Sequence, residues 1–437
     1  MRHLLFAALL ALTGTAAIVW MLLQPAASPP VEQFDVAQAL GGTPAEGFAR
    51  ATEPRAFRFP DDHGPHPDYR NEWWYFTGNL ATEAGRRFGY ELSIFRIALS
   101  PSATVRSSAW GTNQVYMAHF ALTDVASGKF HFFERFARGA ARLAGAQAEP
   151  FAVWLEDWRI ESDAHDAQTW RLHAAAGDVS IELALTPRKP VVLQGERGLS
   201  RKSADAGNAS YYYSLPRLAS IGTITVAGEQ HGIAGDSWLD REWSTSALGP
   251  DQVGWDWFAL QLSDGSDLMI YQLRNADGQA DRFSAGVLVA RDGRTVALTR
   301  ADFRIDVLDR WRSPRDDAQG RGSPTRGGEN RTPGPPRRPP GMAGGSATPG
   351  AVVESALGLR GGEYPARWRL SVPKAQLVLE VVPVLADQEL SVSIRYWEGA
   401  VDVGGTRADK AVTGRGYVEL TGYAQTASRN ERNLPWR

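Results

Sequence analysis

Short apolar segments alternate with turns rich in Gly, Asp and Asn along most of the chain from residue 56 to 246. β-Branched and aromatic residues, which suit a pleated and half-buried surface, are concentrated in these segments. Clear examples are FGYELSIFRI (88–97), QVYMAHFALTD (114–124), TWRLHAA (169–175), VSIELAL (179–185) and IGTITVA (221–227). Several short strands with close turn spacing predict an antiparallel sandwich or barrel.

The segment NEWWYFTGNL (71–80) combines a carboxylate with three consecutive aromatic residues. An aromatic run of this kind fits a strand better than the 3.6-residue period of a helix. Glu72 within it must face solvent or find a partner, because an unpaired buried charge is very costly. The segment GDSWLDREW (235–243) offers a complementary charge, and we predict a structural ion pair between Glu72 and Arg241.

The second half of the chain repeats these two segments in weaker form. VGWDWFALQLSDG (253–265) echoes the aromatic segment, and GRGYVELTGY (414–423) echoes GDSWLDREW. Two divergent copies of a β domain of roughly 180 residues explain this pattern. Within each copy, the opening and closing strands would pair and shut a barrel without exposed edges. The predicted domains cover residues 56–246 and 250–427.

Other segments lie outside the two predicted domains. The apolar run from Leu4 to Leu23 is long enough to cross a bilayer, so residues 1–27 are predicted to be a signal peptide or a membrane anchor. Either interpretation implies an exported protein that is periplasmic, membrane-anchored or secreted from a bacterial envelope. Residues 28–55 are predicted to be a linker and 428–437 a tail. Residues 312–350, dominated by Pro, Gly and Arg, predict a disordered insertion in the second domain.

Composition and charge exclude several classes of function and several kinds of site. The chain has 437 residues and a net charge of -2, which lacks the basic footprint of a nucleic-acid-binding protein. It contains no cysteine, which excludes disulfides, thiol catalysis and thiolate zinc sites. His63 and His66 have neighbouring carboxylates but lack strict ligand spacing, so no metal site is predicted.

The segment GDSWLDREW is the strongest candidate for chemistry. On a strand, its alternation puts Trp238, Asp240 and Glu242 on one face. If that face points into a barrel, two carboxyls and an indole share an apolar space, where burial and like charge raise a carboxyl pKa. A neutral acid among aromatic rings can protonate an alkene, because the ring faces stabilise the developing cation. The alternative is that these charges only form an ion-pair network that closes the barrel.

A second aromatic cluster, YYYSLPRL, spans residues 211–218. Tyr211 and Tyr213 would share one strand face, where their hydroxyls could orient a water or bind a ligand head group. The alternative is an aromatic core whose hydroxyls are satisfied at the rim.

The motifs HPDYRNEWWYFTGNL, GDSWLDREWSTS, GWDWFALQLSDG and GRGYVELTGY together resemble the AttH and carotenoid 1,2-hydratase family of lipocalin-like proteins. The resemblance covers residues 56–427 apart from the insertion. It implies an all-β fold of two consecutive lipocalin-like antiparallel β-barrel domains, with a ligand in a barrel interior or at the domain junction. In the hydratase branch, water is added to the terminal double bond of an acyclic carotenoid without a cofactor, and an acidic residue is the proton donor.

By motif position, the resemblance implies that Asp240 is the proton donor and Trp238 its aromatic neighbour. It also places Tyr211 and Tyr213 among the catalytic residues. The predicted ligand contacts are Trp73, Tyr75, Glu242, Trp255 and Trp257.

Three functions stay open at this point. The first is an exported lipocalin-like protein that binds a hydrophobic, isoprenoid- or lipid-like molecule and works with an ABC-type exporter permease. The second is a cofactor-independent, hydratase-like lyase acting on an isoprenoid double bond. The third is a structural subunit of an envelope complex. The predicted partners are a hydrophobic small molecule and, if the N-terminal segment is uncleaved, the membrane, but no nucleic acid.

Overall fold

The computed structural model of the protein describes residues 46–102, 108–166, 168–246, 248–249, 251–314 and 362–423. The predicted signal or anchor (1–27), the tail (428–437) and the predicted insertion from residue 315 onward lie outside the described residues. The helical turns described in full are three residues long, at Asp61–His63, Arg300–Asp302 and Pro373–Ala375. None of these turns could traverse a bilayer.

The first sheet has 13 antiparallel strands. They are β1 (Asn71–Ala81), β2 (Arg87–Ala98), β3 (Gln114–Asp124), β4 (Lys129–Arg138), β5 (Ala144–Gln147), β6 (Ala152–Leu155), β7 (Trp158–Ser162), β8 (Trp170–Ala176), β9 (Val179–Pro187), β10 (Val192–Leu193), β11 (Leu199–Arg201), β12 (Ala209–Val226) and β13 (Glu229–Ser244). The main strand order is β4-β3-β2-β1-β13-β12-β9-β8-β7-β6-β5. The segments predicted as strands at 88–97, 114–124 and 179–185 lie in β2, β3 and β9, which confirms them.

The second sheet has 10 strands in the described residues and is antiparallel like the first. They are β14 (Gln252–Leu262), β15 (Asp267–Asn275), β16 (Ala285–Val289), β17 (Thr295–Thr299), β18 (Arg304–Arg312), β19 (Glu363–Val372), β20 (Leu377–Pro383), β21 (Glu389–Ser391), β22 (Arg395–Arg407) and β23 (Lys410–Leu420). The main strand order is β17-β16-β15-β14-β23-β22-β20-β19-β18. The prediction of an all-β fold with two barrel-like sheets is confirmed.

The opening and closing strands of each sheet pair with each other. β1 pairs with β13, and β14 pairs with β23, both in antiparallel register. In the first sheet, however, the strand order begins at β4 and ends at β5, which are consecutive in the chain. The four-residue β5 follows a turn in which Ala141 and Arg142 have positive φ, so the chain leaves the ladder at that point. The opening and closing strands pair as expected, but the two ends of the strand order in the first sheet are β4 and β5.

Part of the segment predicted to be a linker, residues 28–55, packs against the first sheet. Ala51 is fully buried in the core of this sheet. The Ala49 amide donates to the carbonyl of Asp68 at 2.9 Å, and the Thr245 hydroxyl donates to the Ala49 carbonyl. Residues 49–51 are therefore part of the folded unit.

Each sheet encloses its own core, and side chains fill both interiors. The first core includes Trp74, Phe76, Leu239 and Trp243, and the second includes Phe258, Trp368 and Val418. Because successive strand residues point to opposite faces, the neighbours of these residues point outward. Outward side chains of the two sheets meet in a third cluster, with Tyr75, Tyr212 and Trp238 from the first sheet and Trp257, Tyr271 and Tyr417 from the second.

Buried polar contacts hold the two sheets together. The hydroxyl of Tyr75 donates to the carboxyl of Glu398. The carboxylate of Asp267 accepts hydrogen bonds from Lys189 and, at 2.7 Å, from the guanidinium of Arg217. The contacts of Asp267 are charge-assisted and have fixed geometry, and together with the bond of Tyr75 they define the junction at which the candidate site lies.

Candidate functional site

The outward face of β13 carries Trp238, Asp240 and Glu242, while Arg241 and Trp243 point into the first core. The predicted alternation is therefore present. The condition that the Asp240 face points into a barrel is not met, because side chains of the other face fill that interior. Asp240 instead points toward the junction of the two sheets.

A cavity of about 80 Å³ lies at this junction. Its walls come from both sheets and are mostly aromatic, with acids and one cation among them. The lining residues are Trp73, Tyr75, Phe95, Lys202, Tyr212, Asp240, Glu242, Leu248, Trp255, Trp257, Tyr271, Leu273 and Glu419. All five residues predicted to contact a ligand are present, and so is the predicted acid.

The carboxyl of Asp240 is almost fully buried and accepts three hydrogen bonds. Its Oδ1 accepts from the hydroxyl of Ser214 and, at 2.7 Å, from the indole N–H of Trp238. Its Oδ2 accepts from the hydroxyl of Tyr212. Burial raises the pKa of Asp240 to about 6, although the three donors oppose this shift and the charge of Glu242 adds to it.

Glu242 and Lys202 form an ion pair in the wall of the cavity. The Lys202 ammonium lies 3.0 Å from Glu242 Oε1, and the hydroxyl of Ser210 donates to the same carboxylate. Burial disfavours the charge of Lys202, but the neighbouring Glu242 carboxylate raises its pKa overall. The ammonium also lies 4.8 Å from the ring centroid of Tyr271. These contacts hold both side chains in place.

Glu419 brings a second acid into the cavity from β23 of the second sheet. Burial raises the pKa of Glu419 to about 8, and the nearby charges of Asp240 and Glu242 add to this effect. A hydrogen bond from the indole of Trp255 acts in the opposite direction. Near neutral pH, the carboxyl of Glu419 is mostly protonated.

The two acids occupy equivalent positions in the two sheets. Asp240 on the closing strand β13 lies opposite Tyr75 on the opening strand β1. Glu419 on β23 lies opposite Trp257 on β14 in the same way. The rings of Tyr75 and Trp257 meet edge to face, with centroids 5.3 Å apart. The repeat visible in the sequence thus places one acid and one aromatic residue from each copy around the same cavity.

A family model described as AttH-like matches residues 50–321 and 352–423. The chain belongs to the AttH-like family. A solved structure of a candidate AttH protein from Nitrosomonas europaea is 32% identical, with a TM-score of 0.68, and the match covers 86% of this chain and 99% of that one. A structure of kievitone hydratase from Nectria haematococca is 14% identical, with a TM-score of 0.57, and the match covers 86% of this chain and 98% of that one. The second likeness concerns the fold alone. Among curated proteins, no sequence matches this chain significantly.

Tyr211 and Tyr213, which were predicted as catalytic residues, lie away from the cavity in this AttH-like protein. Both belong to the first core. The Tyr211 hydroxyl donates to the carbonyl of Glu53 at 2.9 Å, and that of Tyr213 lies 2.6 Å from Nδ1 of His63. The prediction is therefore wrong for both residues, because their strand face points inward and Tyr212 takes the outward position.

Sequence reasoning missed Tyr212 and Ser214. In the ladder of β12 and β13, Tyr212 lies opposite Glu242 and Ser214 lies opposite Asp240. Residues directly opposite each other in a ladder share a face, so knowledge of this register would have identified both hydrogen-bond donors.

Glu72 and Arg241 form the predicted ion pair, inside the first barrel-like sheet and apart from the cavity. Arg96, which the sequence argument did not identify, also donates to Glu72. The backbone N–H of His66 approaches both carboxylate oxygens at 3.1 and 3.0 Å. Burial opposes ionisation, but Arg241 and Arg96 lower the pKa of Glu72 far below its usual value. This network is structural.

The two histidines of the loop before β1, His63 and His66, lie close to the same network. Nε2 of His66 lies 3.0 Å from Oδ1 of Asp62, and its ring stacks on Trp243 with centroids 3.7 Å apart. Burial lowers the pKa of His63 to about 4, and the nearby charge of Arg241 adds to this effect. Within the described ranges, no three His, Asp or Glu side chains are grouped as metal ligands.

Two further acids lie behind the cavity, between the sheets. Glu91 of β2 and Glu398 of β22 are fully buried. Burial raises the pKa of both far above the usual value, and their mutual repulsion contributes to the shift of Glu398. Glu398 lies directly opposite Glu419 in the ladder of β22 and β23 and accepts the hydrogen bond of Tyr75. One protonated acid from each sheet therefore lies close to Glu419.

Proposed function

We propose that this protein binds the alkene end of a hydrophobic, isoprenoid- or lipid-like molecule between its two barrel-like sheets and adds water to a double bond. The observation that carries the proposal is the carboxyl of Asp240 in an aromatic cavity at the junction. A binding site for a hydrophobic molecule gains nothing from a desolvated acid, because burial of an ionisable group opposes folding. Such a group is, in contrast, what proton transfer to or from a reacting molecule requires.

The aromatic lining suits a cationic transition state. Protonation of an alkene leaves positive charge on carbon, and the faces of Trp and Tyr rings stabilise a cation. Trp73, Tyr75, Trp255 and Trp257 all line the cavity. The Lys202 ammonium lies in the same wall but is neutralised by Glu242 at 3.0 Å, so it does not oppose the developing charge strongly.

The size of the cavity limits how much of a substrate it takes. A volume of about 80 Å³ holds several water molecules at roughly 10–15 Å³ of probe volume each. It therefore accommodates the reacting end of an isoprenoid together with a water, while the rest of the molecule lies outside. Kievitone hydratase, which shares the fold, is by its name also a hydratase.

A second candidate function is a carrier that binds the same class of molecule without converting it. The aromatic lining supports this function equally well, because it supplies apolar area whatever the acids do. In this case the protein would deliver its ligand to a partner such as an ABC-type exporter. Export through the N-terminal apolar segment is part of both proposals and rests on the sequence of residues 4–23.

Mass spectrometry of molecules that co-purify with the full-length protein from its native membrane tests both functions. The purified protein is then incubated with lycopene, an acyclic polyene, and the products are analysed for the gain of one water. We expect hydrated product with the wild type, and at least about a 10²-fold lower rate with Asp240→Asn. The matched control is Asp292→Asn, because Asp292 is an exposed acid in a turn of the second sheet, paired with Arg294.

Ligand binding separates the two functions. Asp240→Asn should keep the fold and the co-purified molecule, because Asn retains the shape of the side chain. A wild-type protein that holds its ligand but hydrates neither this ligand nor lycopene would favour the carrier. Loss of folding in Asp240→Asn, judged by circular dichroism, would assign the residue a structural role and contradict the proposed chemistry.

A further inference from the structure

The two acids of the cavity are hydrogen-bonded in different ways. Asp240 receives hydrogen bonds on both oxygens, and one donor, the indole of Trp238, cannot act as an acceptor. The indole N–H of Trp257 donates to the hydroxyl oxygen of Tyr212 at 3.3 Å. The proton of Tyr212 is therefore directed toward Asp240. A carboxyl surrounded by donors in this way is held in its ionised, accepting form.

Glu419 also accepts a hydrogen bond from an indole, that of Trp255, but it shares the cavity with two other carboxyls. The charges of Asp240 and Glu242 add to the rise of its pKa. Lys202, which also lines the cavity, pairs at 3.0 Å with Glu242. A carboxyl next to like charges, without a cation of its own, retains its proton.

We propose that Glu419 of the second sheet is the proton donor of the reaction and that Asp240 is the base that accepts a proton from the attacking water. This assignment rests on the proposed function and reverses the role that the family resemblance implies for Asp240. It is consistent with the principle that a pair of acids with differently shifted pKa values divides into an acid and a base. The values of about 8 for Glu419 and about 6 for Asp240 have the required order.

The proposed step balances in atoms and charge. The carboxyl of Glu419 transfers its proton to one alkene carbon, and the electron pair of the double bond forms the new C–H bond. The adjacent carbon becomes cationic, and a water oxygen forms a C–O bond with it. Asp240 takes the released proton of that water, so the site ends with Glu419 ionised and Asp240 protonated. Proton exchange with solvent after product release restores the starting state.

Several other ionisable side chains surround Glu419, and each could contribute to a titration near it. Asp240 and Glu242 come from β13, Tyr212 from β12, and Tyr271 from β15. Glu398 of β22 lies directly opposite Glu419 in the ladder, and Tyr75 of β1 and Lys202 also line the cavity. Glu91 of β2 also interacts with the charge of Glu419. Burial raises the pKa of Glu91, Glu398 and Tyr75 far above the usual values, so none of them changes its charge near neutral pH. The observable titrations around neutrality should therefore belong to Glu419 and Asp240.

Carbon-13 NMR of the full-length protein with labelled Asp and Glu carboxyls tests the assignment without any substrate. The resonance that is missing in Glu419→Gln should show a protonated carboxyl at pH 7 and titrate near pH 8. The resonance that is missing in Asp240→Asn should already be ionised at pH 7. A protonated Asp240 together with an ionised Glu419 at pH 7 would overturn the assignment.

The pH dependence of hydration provides a second readout, with lycopene as the probe. The wild type should show a bell-shaped profile, because its base must be ionised and its acid protonated. Glu419→Gln should lose the alkaline limb and Asp240→Asn the acidic limb, each with at least about a 10²-fold lower rate. Loss of the opposite limbs would overturn the assignment. If the wild type hydrates nothing, the proposed function fails, and the carboxyl titration still decides which acid holds the proton.

Discussion

The buried charge network around Glu72 offers a direct test of what holds the first sheet together. The substitution Glu72→Gln removes the negative charge that pairs with the guanidinium groups of both Arg96 and Arg241. Both guanidiniums are fully buried, and arginine keeps its charge in proteins. Gln has nearly the same shape, so the change acts through charge.

The expected magnitude follows from the burial of the network. Breaking a buried ion pair by removing one partner destabilises a protein by about 3–5 kcal/mol, because an uncompensated charge stays in a low-dielectric interior. This is a large part of the roughly 5–15 kcal/mol by which proteins are stable. The matched control is Glu161→Gln, since Glu161 lies 3.6 Å from Arg159 and both side chains are more than 40% exposed, at 42% and 49%. Exposed pairs contribute about 0–1 kcal/mol.

Urea unfolding at pH 7, followed by circular dichroism, measures both effects as changes in the free energy of unfolding. The pH dependence gives a further check. The pKa of Glu72 is lowered in the folded state, so its contribution exists above the unfolded value of 4.5 and is lost as the pH falls. The difference between the wild type and Glu72→Gln should therefore shrink in acid. A difference below about 1 kcal/mol at pH 7 would refute the argument that this network stabilises the sheet.

Three further predictions concern the junction of the sheets. A Cβ at Gly89 would lie 2.5 Å from the Cβ of Ala400, so Gly89→Ala should destabilise the protein to urea, and Ala400→Gly in the same chain should restore stability. The raised pKa of Glu419 means that its contribution to stability is fully present below pH 4.5 and is lost as the pH rises to about 8. The loss is at most about 5 kcal/mol, and thermal unfolding of Glu419→Gln should show a smaller loss than the wild type between these two pH values. Tyr212→Phe removes one of the donors that lower the pKa of Asp240, so the Asp240 carboxyl should titrate at higher pH in NMR; an unchanged titration would contradict the hydrogen bond.

Several parts of the fold could be predicted from local pattern. Period-two alternation correctly separated the face of Asp240 from that of Arg241, because side chains on a strand can point only to two sides. The repeated aromatic and acidic segments correctly identified the pairs of strands β1 with β13 and β14 with β23. The charge of Glu72 in an apolar strand required a buried partner, and Arg241 was the complementary charge in the matching segment.

The location of the site could not be predicted in the same way. Alternation divides a strand into two faces but does not say which face the larger apolar side chains will enclose. The assignment of Tyr211 and Tyr213 failed for this reason, since they follow Trp243 into the core. The contact of Arg96 with Glu72 and the position of Glu419 at the cavity depend on ladder registers and on the packing of one sheet against the other. These are long-range contacts that no local pattern of residues encodes.

The most direct measurement of the central claim is the incorporation of oxygen-18 from labelled water into lycopene by the wild type, Asp240→Asn and Glu419→Gln. The proposed reaction requires one acid from each sheet at the shared cavity. We therefore expect a single labelled hydroxyl group per hydrated double bond with the wild type and at least about a 10²-fold lower rate with each variant, while all three proteins remain folded. Labelling by either folded variant at the wild-type rate would contradict the claim that the two sheets share the proton transfers.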